Sequence, residues 1–225
     1  MSFSRVHAVL STPLLLVLTV AAFTDRQGGQ QRFEEITVER INVVDSAGST
    51  RVILAGGFPP RRAALAGLLF VNEDGHESGG LVYSGTRDEN GDIQAGGILT
   101  FDQYRNDQIV ALQYEHEGDR KRQGLTIQER PDTLSDLMKE FYRAFESAPD
   151  AAARDSVRRH YLAVIPPEDR PARRLFLGRD FSRASVVTLS DIAGNPRLRL
   201  QVDSLGRPSI TFLDEDGQPV RTITH

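Results

Sequence analysis

Residues 198–220, LRLQVDSLGRPSITFLDEDGQPV, carry the reading on which the fold turns. Leu198, Leu200 and Val202 alternate with Arg199 and Gln201, the period of a strand with one dry face and one wet face. The alternation is interrupted twice, at Asp203-Ser204-Leu205-Gly206 and at Asp214-Glu215-Asp216-Gly217. With three acids around a glycine, the second tetrad reads either as a cation loop or as a chain reversal.

Other tetrads of the form [DN]-x-x-G decide between the two. Asp45-Ser46-Ala47-Gly48, Asn72-Glu73-Asp74-Gly75, Asp88-Glu89-Asn90-Gly91 and Asp191-Ile192-Ala193-Gly194 share the spacing, and most of them join two strand-like runs. A type I hairpin turn wants an Asp or Asn first, to cap backbone amides, and a glycine fourth, where the chain turns left-handed. A helix-loop-helix calcium site needs oxygens at alternate positions ahead of a glycine in sixth place and a glutamate in twelfth. That offset is absent, and Ala47, Ile192, Ala193 and Leu205 bring no side-chain oxygen. The tetrads are therefore expected to turn the chain, with no metal and no cofactor. Turns of the D-x-x-G-x-x-R form, as at Asp45 to Arg51 and Asp191 to Arg197, resemble those of exported bacterial proteins, a resemblance that implies no activity.

Between the turns lie short β-branched and aromatic runs, read as strands near 33–45, 49–56, 66–72, 79–84, 93–102, 107–115 and 122–129. Further runs follow at 174–181, 184–190, 196–203, 208–213 and 220–224. In the first, Ile36 and Val38 fall out of phase with Ile41 and Val43, so a bulge or bend is expected at Glu39-Arg40. Connections this short require antiparallel pairing. Gly67, Gly80, Gly97 and Gly124 each stand immediately before an apolar or β-branched run. A strand glycine marks a sharp bend, a close backbone approach or a ligand, and bends that close a sheet are the expectation. The turn glycines are unevenly spaced, which argues for a meander and against a solenoid.

The period changes between Pro131 and Pro171. Leu134, Leu137, Met138, Phe141, Tyr142 and Phe145 take helical spacing, with Thr133 and Asp136 as an approximate cap. Asp150 then caps a second helix carrying Ala153, Val157, Tyr161 and Val164, with Asp155 and Arg159 spaced for an ion pair. The aromatic stripe is expected to pack on the sheet or plug one end of a barrel.

At the N-terminus Arg5 precedes an uncharged stretch from Ala8 to Phe23, which is the layout of an export signal. As a helix it measures about 24 Å, short of the roughly 30 Å hydrocarbon layer unless the bilayer thins. Small residues at Val20-Ala21-Ala22 suit cleavage after Ala22; left uncleaved, residues 8–23 anchor the chain in the membrane. Either way the positive flank places the remainder outside the cytoplasm, on the periplasmic or extracellular side.

The expected organisation is a leader or signal anchor over 1–26, a polar linker over 27–32, and one mainly β domain over 33–225. That domain is an antiparallel meander of about ten to twelve strands closing into a barrel or sandwich. A helical hairpin over about 133–165, within an insertion at 132–170, interrupts it. A net charge of −4 from interspersed acids and bases leaves no basic face for nucleic acid. With no cysteine the chain has no disulfide, zinc-thiolate site, thiol nucleophile or lipidated cysteine.

Catalytic patterns are sparse: the five histidines form no H-x-x-x-H or H-E-x-x-H set, and no G-x-S-x-G or phosphate loop is present. The densest polar stretch is FDQYRNDQIVALQYEHEGDR, where alternation groups Asp102 with Tyr104, and Tyr114 with His116, across a hairpin at Arg105 to Asp107. Facing a lumen, Asp102, Tyr104, Tyr114 and His116 would bind a ligand or move a proton; on an outer wall they are a solvated surface. Glu129-Arg130 reads as a strand-end ion pair. Two functions follow. One is a non-enzymatic exported β-domain that binds a partner protein, a copy of itself or a small apolar ligand. The other is a cofactor-free barrel enzyme, an isomerase or hydrolase, that uses Asp102, Tyr104 and His116.

Overall fold

A computed structural model describes residues 32–58, 65–132, 136–166 and 169–224. The chain divides into two units, Met1–Val38 and Glu39–His225. The expected leader or anchor over 1–26, most of the linker and the Thr133 cap lie outside the described residues. Among those described, no helix is long and apolar enough to cross a membrane.

The second unit is one antiparallel sheet of twelve strands in sequence order. They are β1 (Arg40–Val44), β2 (Thr50–Ala55), β3 (Ala66–Val71), β4 (Glu77–Arg87), β5 (Ile93–Asp102) and β6 (Gln108–Glu117), then β7 (Arg120–Glu129), β8 (Ala172–Arg179), β9 (Ser185–Ser190), β10 (Pro196–Val202), β11 (Pro208–Leu213) and β12 (Pro219–Thr224). The meander expectation holds to the number of strands. Closure does not: β1 and β12 are the two edges of a single sheet, so it is neither a barrel nor two stacked sheets. Hairpin chemistry specifies which strand follows which, whereas closure depends on the accumulated coil of the whole sheet. The first strand is also shorter than expected, beginning at Arg40; the chain bends at Glu39, as expected, and a register shift follows between Val43 and Val44.

The tetrads turn the chain by one repeated pattern. At the first, Asp45 Oδ1 accepts the amides of Ala47 (2.9 Å) and Ser49 (3.0 Å), while the Gly48 amide donates to the Asp45 carbonyl at 3.0 Å. The remaining carboxylate oxygen takes the Arg51 guanidinium at 2.8 and 2.7 Å, and Asp191 engages Arg197 in the same way. The Ser49 amide, with burial opposing and Arg51 assisting, holds the Asp45 carboxyl below its ordinary range. Asp180 builds a further turn of this kind that the glycine pattern misses, because Arg183 occupies the left-handed position at φ 69°.

Close backbone approach, rather than barrel corners, explains most of the strand glycines. A Cβ at Gly67, Gly80 or Gly124 would lie 2.0, 2.3 or 2.4 Å from a carbonyl oxygen of a neighbouring strand. Gly124 stands opposite Gly178, whose own Cβ would come 2.1 Å from the Gln123 carbonyl oxygen. Gly97 differs, leaving room for the Tyr83 ring, whose Cδ2 would be 3.1 Å from such a Cβ.

Between β7 and β8 stand helices α1 (Asp136–Ser147) and α2 (Ala151–Val164), the latter capped by Asp150 Oδ1 on the Ala153 amide at 2.8 Å. The aromatic stripe packs helix to helix, contrary to expectation: Phe141 meets Tyr161 edge-on at 5.8 Å and Phe145 at 5.6 Å. With no closed barrel there is no end to plug. Asp155 pairs with Arg158 rather than Arg159.

Candidate functional site

Side chains of like parity on all twelve strands line up across one face, with the register set by short hairpins between most strands and carried across the helical insertion by the pairing of β7 with β8. Ile41 stands opposite Leu54, Leu54 opposite Leu68, and Leu68 opposite Leu81. Partnership continues through Leu99, Leu112, Leu125 and Leu177 to Val187, Leu200, Ile210 and Ile223. Every strand contributes one aliphatic side chain to an unbroken row, here called the leucine row. A second apolar row runs beside it from Phe101 through Val110, Ile127, Leu175, Leu189 and Leu198 to Phe212. Across the bare Gly79, Phe70 stacks on Phe101 with centroids 6.5 Å apart.

No described residue covers these rows. Leu54, Leu81, Leu112 and Leu177 are 48, 55, 53 and 49% exposed, and Leu200, Ile210, Phe212 and Ile223 remain open toward the C-terminal end. Over β8 to β12 the face holds an apolar depression of about 760 Å³ lined by Leu177, Val187, Leu200, Ile210 and Ile223 among others. Monomeric proteins seldom leave a continuous apolar surface of this extent in water. At one end of the strands the same face carries Arg87, Lys121 and Arg179.

The four residues singled out from sequence do not converge. Asp102 lies beside Gln108 and His116 beside Ala95, at opposite ends of the β5–β6 ladder. Tyr114 and His116 do meet, the tyrosine hydroxyl 3.0 Å from His116 Nδ1, and His116 is buried next to a polar depression bounded by Arg87, Asp92 and Lys121. Tyr104 instead clasps the neighbouring hairpin. Its hydroxyl donates to Asp74 Oδ2 at 2.6 Å and Glu73 Oε1 at 3.2 Å, while Arg105 donates to the same Asp74 oxygen at 2.7 Å. Arg105 and then Tyr104 draw the Asp74 carboxyl down to about 2, and Asp74 in turn pushes the Tyr104 phenol up to about 12.

Asp102 belongs to a different group. Burial, then the charge of Asp107, raises its carboxyl above the ordinary range, and Oδ1 is buried without a partner. Glu77 is raised by burial and by Asp102 and Asp107. The counter-charge is Arg130, whose side chain is 6% exposed and donates to Asp107 Oδ2 at 2.9 Å, the Gln108 carbonyl at 2.7 Å and the Tyr142 hydroxyl at 3.3 Å. This corrects the expected Glu129-Arg130 pair, since Glu129 meets Arg174 at 3.1 Å. Adjacent residues on a strand point to opposite faces, so they seldom pair with each other. Among the described residues no group of three or more acids or histidines is placed to hold a metal ion.

Reading each strand alone missed the leucine row. The available signal was an apolar residue recurring at a similar offset from successive turns, legible only when neighbouring hairpins are aligned. No family model, curated protein or solved structure matches the chain.

Proposed function

We propose that this protein is a non-enzymatic exported β-scaffold, anchored through residues 8–23 or released on the outer side of the cytoplasmic membrane, which binds an apolar surface with its leucine row. The occupant classes that fit are a partner protein, a second copy or a small apolar ligand. The observation that carries the reading is the continuity of the row: twelve strands each give one aliphatic side chain, and seven of these are 36–55% exposed. Covering them removes apolar area from water, the dominant favourable term in association. The dispersal of Asp102, Tyr104, Tyr114 and His116 favours binding over the barrel-enzyme alternative.

Thiol accessibility tests this. The chain has no cysteine, so single Leu54→Cys, Leu112→Cys and Leu177→Cys variants each carry one reporter. In the membranes or exported fraction of the native host, a water-soluble maleimide is expected to label them slowly and to label Leu205→Cys, in an exposed turn, rapidly. Equal, fast labelling at all four positions would mean that nothing occupies the face.

A further inference from the structure

Resting on that reading, we infer that the occupant is a second copy of this chain, laid face to face so that two leucine rows pack against each other about a two-fold axis running along the row. Three observations lead there. The first is area. Twelve strands about 4.8 Å apart and two apolar rows about 7 Å apart present a patch of about 50 Å by about 15 Å, or about 1,500 Å² for a pair. Stable protein interfaces bury about 1,200–2,000 Å², whereas a single acyl chain is narrow and short beside a twelve-strand row and would leave most of it wet.

The second is self-complementarity. A two-fold interface sets a surface against itself, which suits a row of similar-sized aliphatic side chains with no protruding charge within it. Two such faces pack as the inner layers of a sandwich, with strands within about 30° of each other. The pair would thus complete between two chains the double layer that one chain does not form.

The third is charge. Arg87 stands on this face at one end of β4, and Glu73 stands in the β3–β4 hairpin at the opposite end. An axis along the row reverses one sheet end for end and keeps each strand over its own copy, which brings Arg87 of one chain over the hairpin that holds Glu73 of its mate. It also sets each central residue of the row over its own counterpart.

Cross-linking of full-length single-cysteine variants in the native host tests the geometry. Facing sheets lie about 10 Å apart and a disulfide needs Cα atoms within about 7 Å, so a short bifunctional thiol reagent replaces simple oxidation. Leu112→Cys is expected to migrate mostly at twice the monomer mass. Glu117→Cys, exposed on the same strand but on the other face, is expected to remain at monomer mass. If Leu112→Cys is shielded from maleimide yet does not cross-link, a lipid or a different protein covers the row; the second copy is then refuted and the scaffold reading survives. If it is labelled freely, both fail. Circular dichroism of each variant confirms that the sheet is intact.

Discussion

The leucine row has a counterpart one residue away on every strand. On the opposite face Thr100 stands opposite Ala111, Ala111 opposite Thr126, and the series continues through Phe176, Thr188, Arg199 and Thr211 to Thr222. Apart from Phe176 and Arg199 this threonine row has small side chains, most of them polar, yet its centre is the better buried: Thr100 is 5% exposed, Ala111 2%, Thr126 6% and Phe176 4%. Backbones approach closely on that side at Gly80, Gly124 and Gly178, as they do on the leucine side at Gly79, and Arg122 lies 4.5 Å over the Phe176 ring. Burial in this sheet therefore follows what lies over each face: the buried Phe58 shares a depression with Gly80, Val82, Ile98 and Thr100, and Arg122 covers Phe176. The larger side chains lie on the open face, where covering a half-exposed leucine is worth roughly 1 kcal/mol.

The most severe way to break this contrast is to reopen the closed side. Gly178→Ala places a methyl 2.1 Å from the Gln123 carbonyl oxygen, against backbone that has no room to yield. The expected loss is about 3 kcal/mol, read as a lowered midpoint in urea. Gly48→Ala has nothing within 4 Å and bears only the left-handed cost of about 1 to 2 kcal/mol. Equal losses for the two variants would show that the strands are not held close at Gly178.

A milder change sharpens the contrast within the threonine row. The Thr126 hydroxyl is buried without a hydrogen-bond partner, so Thr126→Val replaces an unsatisfied polar group by a methyl of the same shape. Stability should rise by about 1 kcal/mol in the same denaturant measurement. A loss instead would mean that a hydroxyl partner exists and that this face is organised by hydrogen bonding.

The smallest effect concerns the strand ends. The Asp102 carboxyl titrates above its ordinary range, so the fold favours its protonated form. That contribution is complete below the ordinary value of 3.8 and is lost as pH rises through the elevated one. Asp102→Asn, a neutral isostere, should raise the melting temperature modestly at pH 7, with the gain vanishing as pH falls below 3.8. A gain that persists in acid would place its cause elsewhere.

Much of the fold was legible because its information is local. Asp203-Ser204-Leu205-Gly206 states in four residues both that the chain reverses and how its amides are satisfied, and the Leu198, Leu200, Val202 alternation states which face is dry. Asp180 shows the limit, since its turn works with Arg183 in place of glycine and so escaped the pattern. Arg130 shows another. Its partners Asp107, Gln108 and Tyr142 come from a neighbouring strand and a helix, and no spacing along one strand reveals them. Tyr104 was grouped with Asp102 by parity, but a hairpin residue leaves the strand's alternation and reaches Asp74 on the adjoining turn.

By itself the sequence determined twelve antiparallel segments, their order, the helical hairpin and the parity of side chains inside the strands, because turn chemistry and period-two alternation act over a few neighbouring residues. Tertiary structure alone decided that the sheet stays open, that the aromatic stripe of α1 meets α2 and not the sheet, and that one aliphatic side chain per strand falls into a single row. Those outcomes sum small twists and registers over all twelve strands, and no single segment contains the sum.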